Sequence, residues 1–349
     1  MSALSLERIR EELASYDGAP LRIMEVCGTH TASIVKNGIP SLLSDRIRLI
    51  SGPGCPVCVT VTAYIDRLTE LAMTEGTAVC AFGDLLRVRG SRLSLADAKA
   101  RGGNVHMVYS PAQMLDLAEA DPQRTYVFAA VGFETTIPVY AILLQEAERR
   151  GIRNVKLLTS LKTMPQVIGW LMDSGAKIDG FIAPGHVCAV AGYEDYIAPA
   201  AKYGVPFVVS GFEGPQLLAT IYALVKMQGR GEVRNLYPGV VEKEGSPEAK
   251  QLTADYFMPC DAAWRGMGII SGSGMRLREE FAQYDAGSAD LTEDRMAAGC
   301  QCAHVLTGEI TPSQCPLFGK ICTPQDPHGA CMVSQEGSCF NHFVAGGLI

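Results

Sequence analysis

The hydrophobic positions along this chain alternate between two spacings for about its first two thirds. Short runs of apolar residues, many of them β-branched, are typical of buried strands. The stretches between these runs repeat apolar residues every three or four positions, as amphipathic helices do. The strand-like runs, in chain order, are RIMEV, RIRLIS, TAVCAFG, NVHMVYS, TYVFAAVGF, NVKLLTS, KIDGFIAP and PFVVSGF. Strands that alternate with helices predict parallel sheets covered by helices on both faces, so the predicted fold class is α/β.

Changes in this pattern divide the chain into three predicted units. Residues 1–138 and 139–235 are each predicted to form an α/β domain with a parallel sheet, and the related strings VGFE (131–134) and SGFE (210–213) suggest two such halves. From about residue 230 the pattern gives way to a polar stretch, a Gly-rich turn region and a tail crowded with Cys, Pro and Gly. We therefore predict that residues 236–349 form a small Cys-rich region with little regular structure, held by something other than a large core.

Composition and charge exclude several classes of protein. With 48% hydrophobic and 19% charged residues, the 349-residue chain is globular rather than disordered. Its net charge of −7 and the lack of a Lys- or Arg-rich stripe argue against nucleic acid as a partner. The N-terminal residues lack the apolar core of a signal peptide, and no run of about 18 apolar residues could span a bilayer, so we expect a cytoplasmic protein without membrane contact. Twelve cysteines in a reducing compartment favour metal ligation and thiol chemistry over structural disulfides.

Half of these cysteines lie in the last fifty residues. They are Cys300, Cys302, Cys315, Cys322, Cys331 and Cys339. Four thiolates that converge from loops are what a 4Fe-4S cluster requires, because each iron takes one cysteine sulfur. A zinc site remains an alternative, although this tail has no C-x-x-C pair of the kind that zinc modules use, and buried cysteines without a metal are a third reading. Spacing alone does not choose four ligands among six, and Cys315 and Cys322 are the preferred ones.

A second group of cysteines lies near the N-terminus, at the ends of predicted strands. Cys27 follows the strand RIMEV, just before a helix predicted from about Thr29, and a helix N-terminus lowers the pKa of a thiol. Cys55 and Cys58 form a C-x-x-C in SGPGCPVC, predicted as an exposed turn that opens a helix from about Thr60. Such a pair can form a redox-active disulfide or bind a soft metal.

For each thiol there is also a structural reading. A lone cysteine at a strand end is more often a small buried hydrophobe than a ligand, and this applies to Cys27 taken by itself. The three remaining cysteines, Cys80, Cys188 and Cys260, are predicted to belong to this class.

Two histidines and two glutamates occupy similar turns between a strand and a helix: His30, His186, Glu134 and Glu213. Any of them could simply cap or pack a helix. Because the carboxyl ends of parallel strands share one edge of a sheet, we expect them to lie in one cleft. No phosphate-binding loop, dinucleotide fingerprint or G-x-S-x-G elbow is present, so nucleotide-dependent and serine-hydrolase functions have no motif to support them.

Several long strings closely resemble the HypD family, which acts in hydrogenase maturation. They are CGTH, GPGCPVC, FGDLLRV, GFETT, PGHV, SGFE, CPLFGKICTP and CMVSQEGSC, and the resemblance runs from about Met24 to Phe340. One departure is Arg89, where we expect the family to have proline, and this affects only the expected shape of that loop.

The resemblance implies a scaffold for assembling the Fe(CN)2(CO) unit of [NiFe]-hydrogenase, together with a small HypC-like chaperone and a HypE-like cyanide donor. It implies that Cys27 holds the iron, that Cys55 and Cys58 are a redox or iron-binding pair, and that a 4Fe-4S cluster relays electrons to these thiols. The residues implied to line the same cleft are His30, Glu134, Thr135 and His186. The implied cluster ligands are Cys302, Cys315, Cys322 and Cys339, with Cys300 and Cys331 as substitutes.

Two other functions stay open on the sequence. A free-standing iron-sulfur thiol-disulfide oxidoreductase would also combine a C-x-x-C with a cluster. Alternatively, a purely structural cluster could hold the tail while the N-terminal thiols are inert.

Overall fold

The computed structural model describes residues 5–346 and confirms the α/β class. In this range the strands are β1 (Leu21–Glu25), β2 (Ile47–Ser51), β3 (Thr77–Ala81), β4 (Val105–Met107), β5 (Thr125–Gly132), β6 (Val155–Lys162), β7 (Gly180–Ala183), β8 (Phe207–Val209), β9 (Val233–Asn235), β10 (Phe257–Trp264) and β11 (Gly268–Leu277). The α-helices are α1 (Leu6–Ala14), α2 (Gly28–Lys36), α3 (Thr62–Met73), α4 (Leu95–Ala100), α5 (Ala112–Ala120), α6 (Ile137–Arg150), α7 (Met164–Asp173), α8 (Gly185–Ala191), α9 (Ile197–Tyr203), α10 (Gly214–Lys226), α11 (Pro247–Tyr256), α12 (Cys302–Leu306), α13 (Ala330–Val333) and α14 (Ser338–Val344).

The strands form two separate sheets. The first has five strands in the order β2-β1-β7-β8-β9, all parallel. The second has six strands in the order β10-β11-β6-β5-β3-β4, in which β6, β5, β3 and β4 are parallel and a β10–β11 hairpin adds to β6 in antiparallel fashion. β5 is buried along nearly its whole length, as a central strand covered by helices on both faces must be.

The division between the sheets does not follow the domain boundaries predicted at residues 138 and 235. β1 and β2 pair with β7 through β9, whereas β3 to β6 form the other sheet, so strands from both sides of residue 138 pair within each sheet. The hydrophobic pattern could not reveal this arrangement, because it gives the order of strands along the chain and says nothing of which strands pair. Residues 1–4 and 347–349 of the predicted units lie outside the described residues.

Residues 236–349 contain more regular structure than predicted. α11 and the long β10–β11 hairpin precede the cysteine tail, and the hairpin completes the second sheet through Gly274, which pairs with Lys162. Of the glycines in the predicted Gly-rich turn region, Gly266 does lie in a turn, whereas Gly268, Gly272 and Gly274 lie within β11 and Gly274 pairs with strands on both sides. Only the part from about residue 285 onward matches the prediction, with short helices and turns between the cysteines.

Within the described residues, no helix combines the length and the apolar character that crossing a membrane requires.

Candidate thiol and metal site

The carboxyl ends of the two sheets face each other and enclose a cavity of about 190 Å³. Cys27 after β1 and His186 after β7 reach it from the first sheet, and Thr135 after β5 reaches it from the second. Glu336, from the tail, completes the lining. The structure therefore brings three predicted site residues together in one cleft, at the edge where parallel sheets place their chemistry.

Cys27 occupies the N-cap position of α2, as the strand-to-helix pattern predicted. Its backbone N–H donates to Glu25 Oε2 over 2.9 Å. Burial raises the pKa of the Cys27 thiol to about 12, and the backbone amides of His30 and Thr29 oppose this shift without overcoming it. The expected lowering of the thiol pKa by the helix N-terminus is thus outweighed by the loss of water around the buried thiol.

The turn that carries Cys55 and Cys58 packs directly against Cys27. Gly54 has no room for a side chain there, since a Cβ atom would overlap the backbone at Cys27, and its carbonyl accepts a hydrogen bond from Gly28 N over 2.9 Å. The backbone N–H of Cys58 donates to Cys55 Sγ over 3.2 Å. This places the C-x-x-C beside the Cys27 cleft.

Two details of the prediction for this turn are wrong. α3 begins at Thr62, after the turn, so the cysteines do not open the helix. The turn is also buried rather than exposed, with Cys55 3% and Cys58 0% exposed, because the tail covers it. Burial raises the pKa of the Cys58 thiol, and contact with the Cys331 and Cys55 thiols adds to the shift.

His30 lies behind the cleft rather than in its lining. It is completely buried, and its Nε2 lies 3.3 Å from Ser210 O and 3.1 Å from Gly211 O, so the neutral ring must donate from Nε2 to these carbonyls. Burial lowers the pKa of His30 to about 4. Phe212 stacks between His30 and the exposed His186, at centroid distances of 4.6 and 4.0 Å. The stack thus connects the buried His30 with the exposed His186.

Neither glutamate of the predicted set reaches the Cys27 cavity. Glu134 points away from it, into a separate cavity of about 440 Å³, and its Oε1 accepts a hydrogen bond from the Met164 N–H at the start of α7 over 2.7 Å. Glu213 is exposed and caps α10 in a reciprocal capping box with Gln216. Both glutamates therefore bond the start of a helix, as the interpretation of these residues as helix caps predicts.

The pH dependence of the free energy of unfolding is expected to reveal the raised pKa of the buried Glu134 carboxyl. Burial raises its pKa from 4.5 to about 7, and its Oε2 has no hydrogen-bond partner. The folded chain therefore binds this proton more tightly than the unfolded chain, so the associated stability is complete below pH 4.5 and is lost as the pH rises toward 7. Glu134→Gln should reduce this decline in the free energy of unfolding by up to about 3 kcal/mol, because one pKa unit corresponds to about 1.36 kcal/mol. Urea unfolding at pH 5 and at pH 8 measures the difference.

The matched control is Glu213→Gln, which changes an exposed helix cap. In this variant the free energy of unfolding should change with pH as it does in the parent chain. Glu25 also has a pKa raised to about 7 by burial and supplies its own slope in every variant. Equal slopes in Glu134→Gln and the parent chain would contradict the assignment.

In the tail, five cysteines line one small cavity together with apolar residues. These cysteines are Cys300, Cys302, Cys315, Cys322 and Cys339, which include all four predicted cluster ligands. Among residues 5–346 no three or more His, Cys, Asp or Glu side chains gather closely enough to hold a single metal ion. The donors here surround a void instead of meeting at a point, and this all-sulfur arrangement fits a cluster with one thiolate per iron.

The backbone around this cavity is adapted to sulfur. At Gly329, an added Cβ atom would lie 2.5 Å from Cys302 Sγ and 2.9 Å from Cys300 Sγ, so only glycine leaves these sulfur atoms room. The backbone N–H of His328 donates to Cys322 Sγ over 3.3 Å. N–H groups directed at sulfur favour thiolates, which are the form that binds iron.

Cys331 connects the two groups of cysteines. It is 0% exposed, and its thiol contacts those of Cys302, Cys339 and Cys58. Hydrogen bonds from Cys302 first, then from Cys339 and Cys58, lower the pKa of Cys331. Sulfur contacts thus run without a break from the tail cavity to the C-x-x-C turn.

Two acidic residues of this site were not singled out from the sequence. Glu336 Oε1 accepts a hydrogen bond from Thr29 Oγ1 over 2.8 Å, so the tail is joined to the start of α2 beside Cys27. Glu25, buried at the end of β1, accepts hydrogen bonds from Cys27 N and Thr31 Oγ1. The string MVSQEG contained a signal for Glu336, whereas Glu25 looked like an ordinary strand residue.

The three cysteines predicted to be structural lie apart from both groups of site thiols. Cys80 and Cys188 are completely buried, and Cys260 is half-buried on β10. None of them lines the Cys27 cavity or the sulfur-lined cavity.

Fold and site together define a cysteine-rich α/β protein in which thiols from both ends of the chain meet at the carboxyl edge of two parallel sheets. The family model described as "HypD: Hydrogenase formation hypA family" matches residues 2–346. The chain therefore belongs to the HypD family of hydrogenase maturation factors.

Individual relatives are similar over nearly their whole length. The hydrogenase maturation factor HypD of Escherichia coli is 42% identical over 347 residues, which cover 96% of this chain and 92% of that protein. The HypD of Rhodobacter capsulatus is 40% identical over 355 residues, covering 98% and 94%. A putative hydrogenase expression/formation protein of Methanocaldococcus jannaschii is 37% identical over 324 residues, covering 91% and 90%.

Proposed function

We propose that this maturation factor is the scaffold on which the Fe(CN)2(CO) unit of [NiFe]-hydrogenase is assembled, jointly with a HypC-like chaperone and with cyanide from a HypE-like donor. The observation that carries the proposal is the meeting of Cys27, the C-x-x-C turn and the tail cysteines at one edge of the fold. Assembly of an iron fragment needs a soft ligand and a redox source side by side, and this arrangement supplies candidates for both.

Iron is the cargo in this proposal, and Cys27 is the residue that holds it. A buried thiol with a raised pKa stays protonated until a metal displaces its proton, so the site keeps its ligand unreactive before iron arrives. The amides of His30 and Thr29 then face the thiolate. A single protein thiolate leaves coordination positions free for the chaperone and for the incoming diatomic ligands, and soft thiolate suits low-spin iron.

His186 and Glu336 line the cavity that Cys27 reaches and are therefore candidates to contact this cargo. His186 is exposed and held by its stack on Phe212, while Glu336 is held by Thr29. We propose that they orient the incoming ligands by hydrogen bonds and that Thr135 does so from the second sheet.

The tail cavity is proposed to hold a 4Fe-4S cluster through Cys302, Cys315, Cys322 and Cys339. When bound, such a cluster supplies single electrons at low potential. Cys331 lies in contact with two of these ligands and with Cys58, so its thiol joins the cluster region to the C-x-x-C. Cys300, 3.3 Å from Cys302 sulfur to sulfur, is the remaining tail thiol.

The test is anaerobic iron and acid-labile sulfide analysis with Mössbauer and infrared spectra, on the chain alone and co-purified with a HypC-like partner. We expect about four iron and four sulfide per chain alone, one per cluster ligand, and an additional low-spin iron with cyanide and carbonyl stretches in the complex. Four iron without the additional centre, from cells that mature hydrogenase, would instead favour a free-standing thiol-disulfide oxidoreductase. Zinc without sulfide would overturn the cluster.

A further inference from the structure

Arg265 carries a buried charge whose guanidinium has a single hydrogen-bond partner among the described residues. It lies in the turn between β10 and β11 and is 3% exposed. Its backbone N–H donates to Val59 O over 2.9 Å and its Nε donates to Thr60 O over 2.6 Å. Its Nη2 is buried without a partner, and within residues 5–346 no carboxylate forms an ion pair with it. Thr60 O is thus the hydrogen-bond partner of the guanidinium among the described residues, and the bond to Val59 O holds only the backbone of the turn.

Such an arrangement requires an anion nearby. A guanidinium cannot give up its proton in a protein, and an unpaired buried charge is strongly unfavourable. The neighbouring basic group, Lys162, can avoid the problem, because burial lowers its pKa to about 7 and Arg265 adds to the effect. Arg265 has no such option, and Asp294, a carboxylate bonded to the same turn, accepts hydrogen bonds from the Gly266 and Thr62 N–H groups and not from the guanidinium. A further negative group is therefore the partner that the guanidinium lacks.

The position of Arg265 identifies the partner. The turn packs against the start of α12, where Gly266 touches Ala303, the residue after Cys302. On its other side lies Thr60, two residues after Cys58. Arg265 also favours the thiolate of Cys300, although contact with the Cys302 thiol and burial raise the pKa of Cys300 overall. Arg265 therefore stands between the C-x-x-C turn and the sulfur-lined cavity.

We propose that Arg265 is the counter-charge of the tail cluster and sets its reduction equilibrium, an inference that rests on the cluster of the proposed function. Each electron added to a thiolate-ligated cluster adds a negative charge, and the net charge and burial of its surroundings set its potential. A buried cation is weakly screened, so it stabilises the reduced form more than the oxidised form. Arg265 is a positioning residue for charge and does not ligate iron.

The test is a mediated redox titration, followed by electron paramagnetic resonance, of the cluster-containing full chain and its variants. In Arg265→Gln the ratio of reduced to oxidised cluster at a fixed potential should fall about tenfold, which is ~59 mV for a one-electron couple. Arg295→Gln is the matched control, because it removes the same charge from a side chain that is 67% exposed and paired with Glu293. Because solvent screens that charge, the ratio of reduced to oxidised cluster should change by less than about twofold in Arg295→Gln.

Arg265→Lys keeps the charge and decides the case if the glutamine variant does not retain its cluster. A lysine here supplies a cation at the same position, so in Arg265→Lys at pH 6 the reduced-to-oxidised ratio should change by less than about threefold. Equal potentials in a cluster-replete Arg265→Gln chain and the parent, or a tenfold fall in Arg265→Lys, would overturn the role of Arg265 and leave the cluster intact. A parent chain without iron and sulfide would overturn both proposals.

Discussion

Hydrogenase activity is expected to fall to background in cells whose only copy of this chain carries Cys27→Ser. Loss of a residue that merely supports a metal ligand costs about 10–100-fold in affinity or activity, so loss of the ligand itself should cost more than about 100-fold. Serine has nearly the same size as cysteine and can occupy the N-cap position of α2, so the fold should survive. Its hard oxygen is a poor ligand for low-spin iron. The measurements are hydrogenase activity in cell extract and the infrared spectrum of the complex with the HypC-like partner.

Cys188→Ser is the matched control for this prediction. Cys188 is as deeply buried as any thiol of the chain and influences the same region electrostatically, but it does not line the Cys27 cavity. It should keep maturation and the cyanide and carbonyl stretches. The tail iron and sulfide should be unchanged in both variants, because the sulfur-lined cavity does not include Cys27. Normal maturation with Cys27→Ser would remove the iron-holding role from this residue.

The elements of the sheets could be predicted because their local signals agree. TYVFAAVGF is continuously apolar and rich in residues that favour strands, and β5 covers Thr125–Gly132. The stretch between NVKLLTS and KIDGFIAP, predicted to be helical, contains α7, Met164–Asp173. The position of Cys27 after a strand and before a helix was also readable, because strand and helix periods change at that residue.

What the sequence did not reveal depends on contacts between distant segments. The tail covers the C-x-x-C turn, which is why Cys55 and Cys58 are buried although Gly and Pro predicted an exposed turn. Glu134 and Thr135 are adjacent in the turn after β5, yet they face different cavities, and the sequence gives no sign of this difference. The acidic residue in the Cys27 cleft is therefore Glu336, more than three hundred residues away in the chain.

Cys339→Ser is expected to abolish the tail cluster and to loosen the Cys27 site with it. Cys339 lines the sulfur-lined cavity and lies in α14, which packs against α2, the helix that Cys27 caps. A group that binds only the folded chain contributes several kcal/mol of stability, so Tm should fall by about 10 °C. Iron and sulfide should both drop toward zero in the chain alone, and the additional low-spin iron in the complex should be lost as well.

The control Cys260→Ser makes the same change on a half-buried cysteine outside the cavity and should keep four iron per chain, as one cluster requires. A Cys339→Ser chain that retains its full iron and sulfide would point to Cys300 or Cys331 as the ligand in its place, and the same substitution at those two residues would then identify it. If instead the cluster is lost but the additional iron still binds in the complex, the tail has no structural influence on the Cys27 cleft. The contact between Glu336 and Thr29 argues against that outcome, because it joins the tail to the first turn of α2.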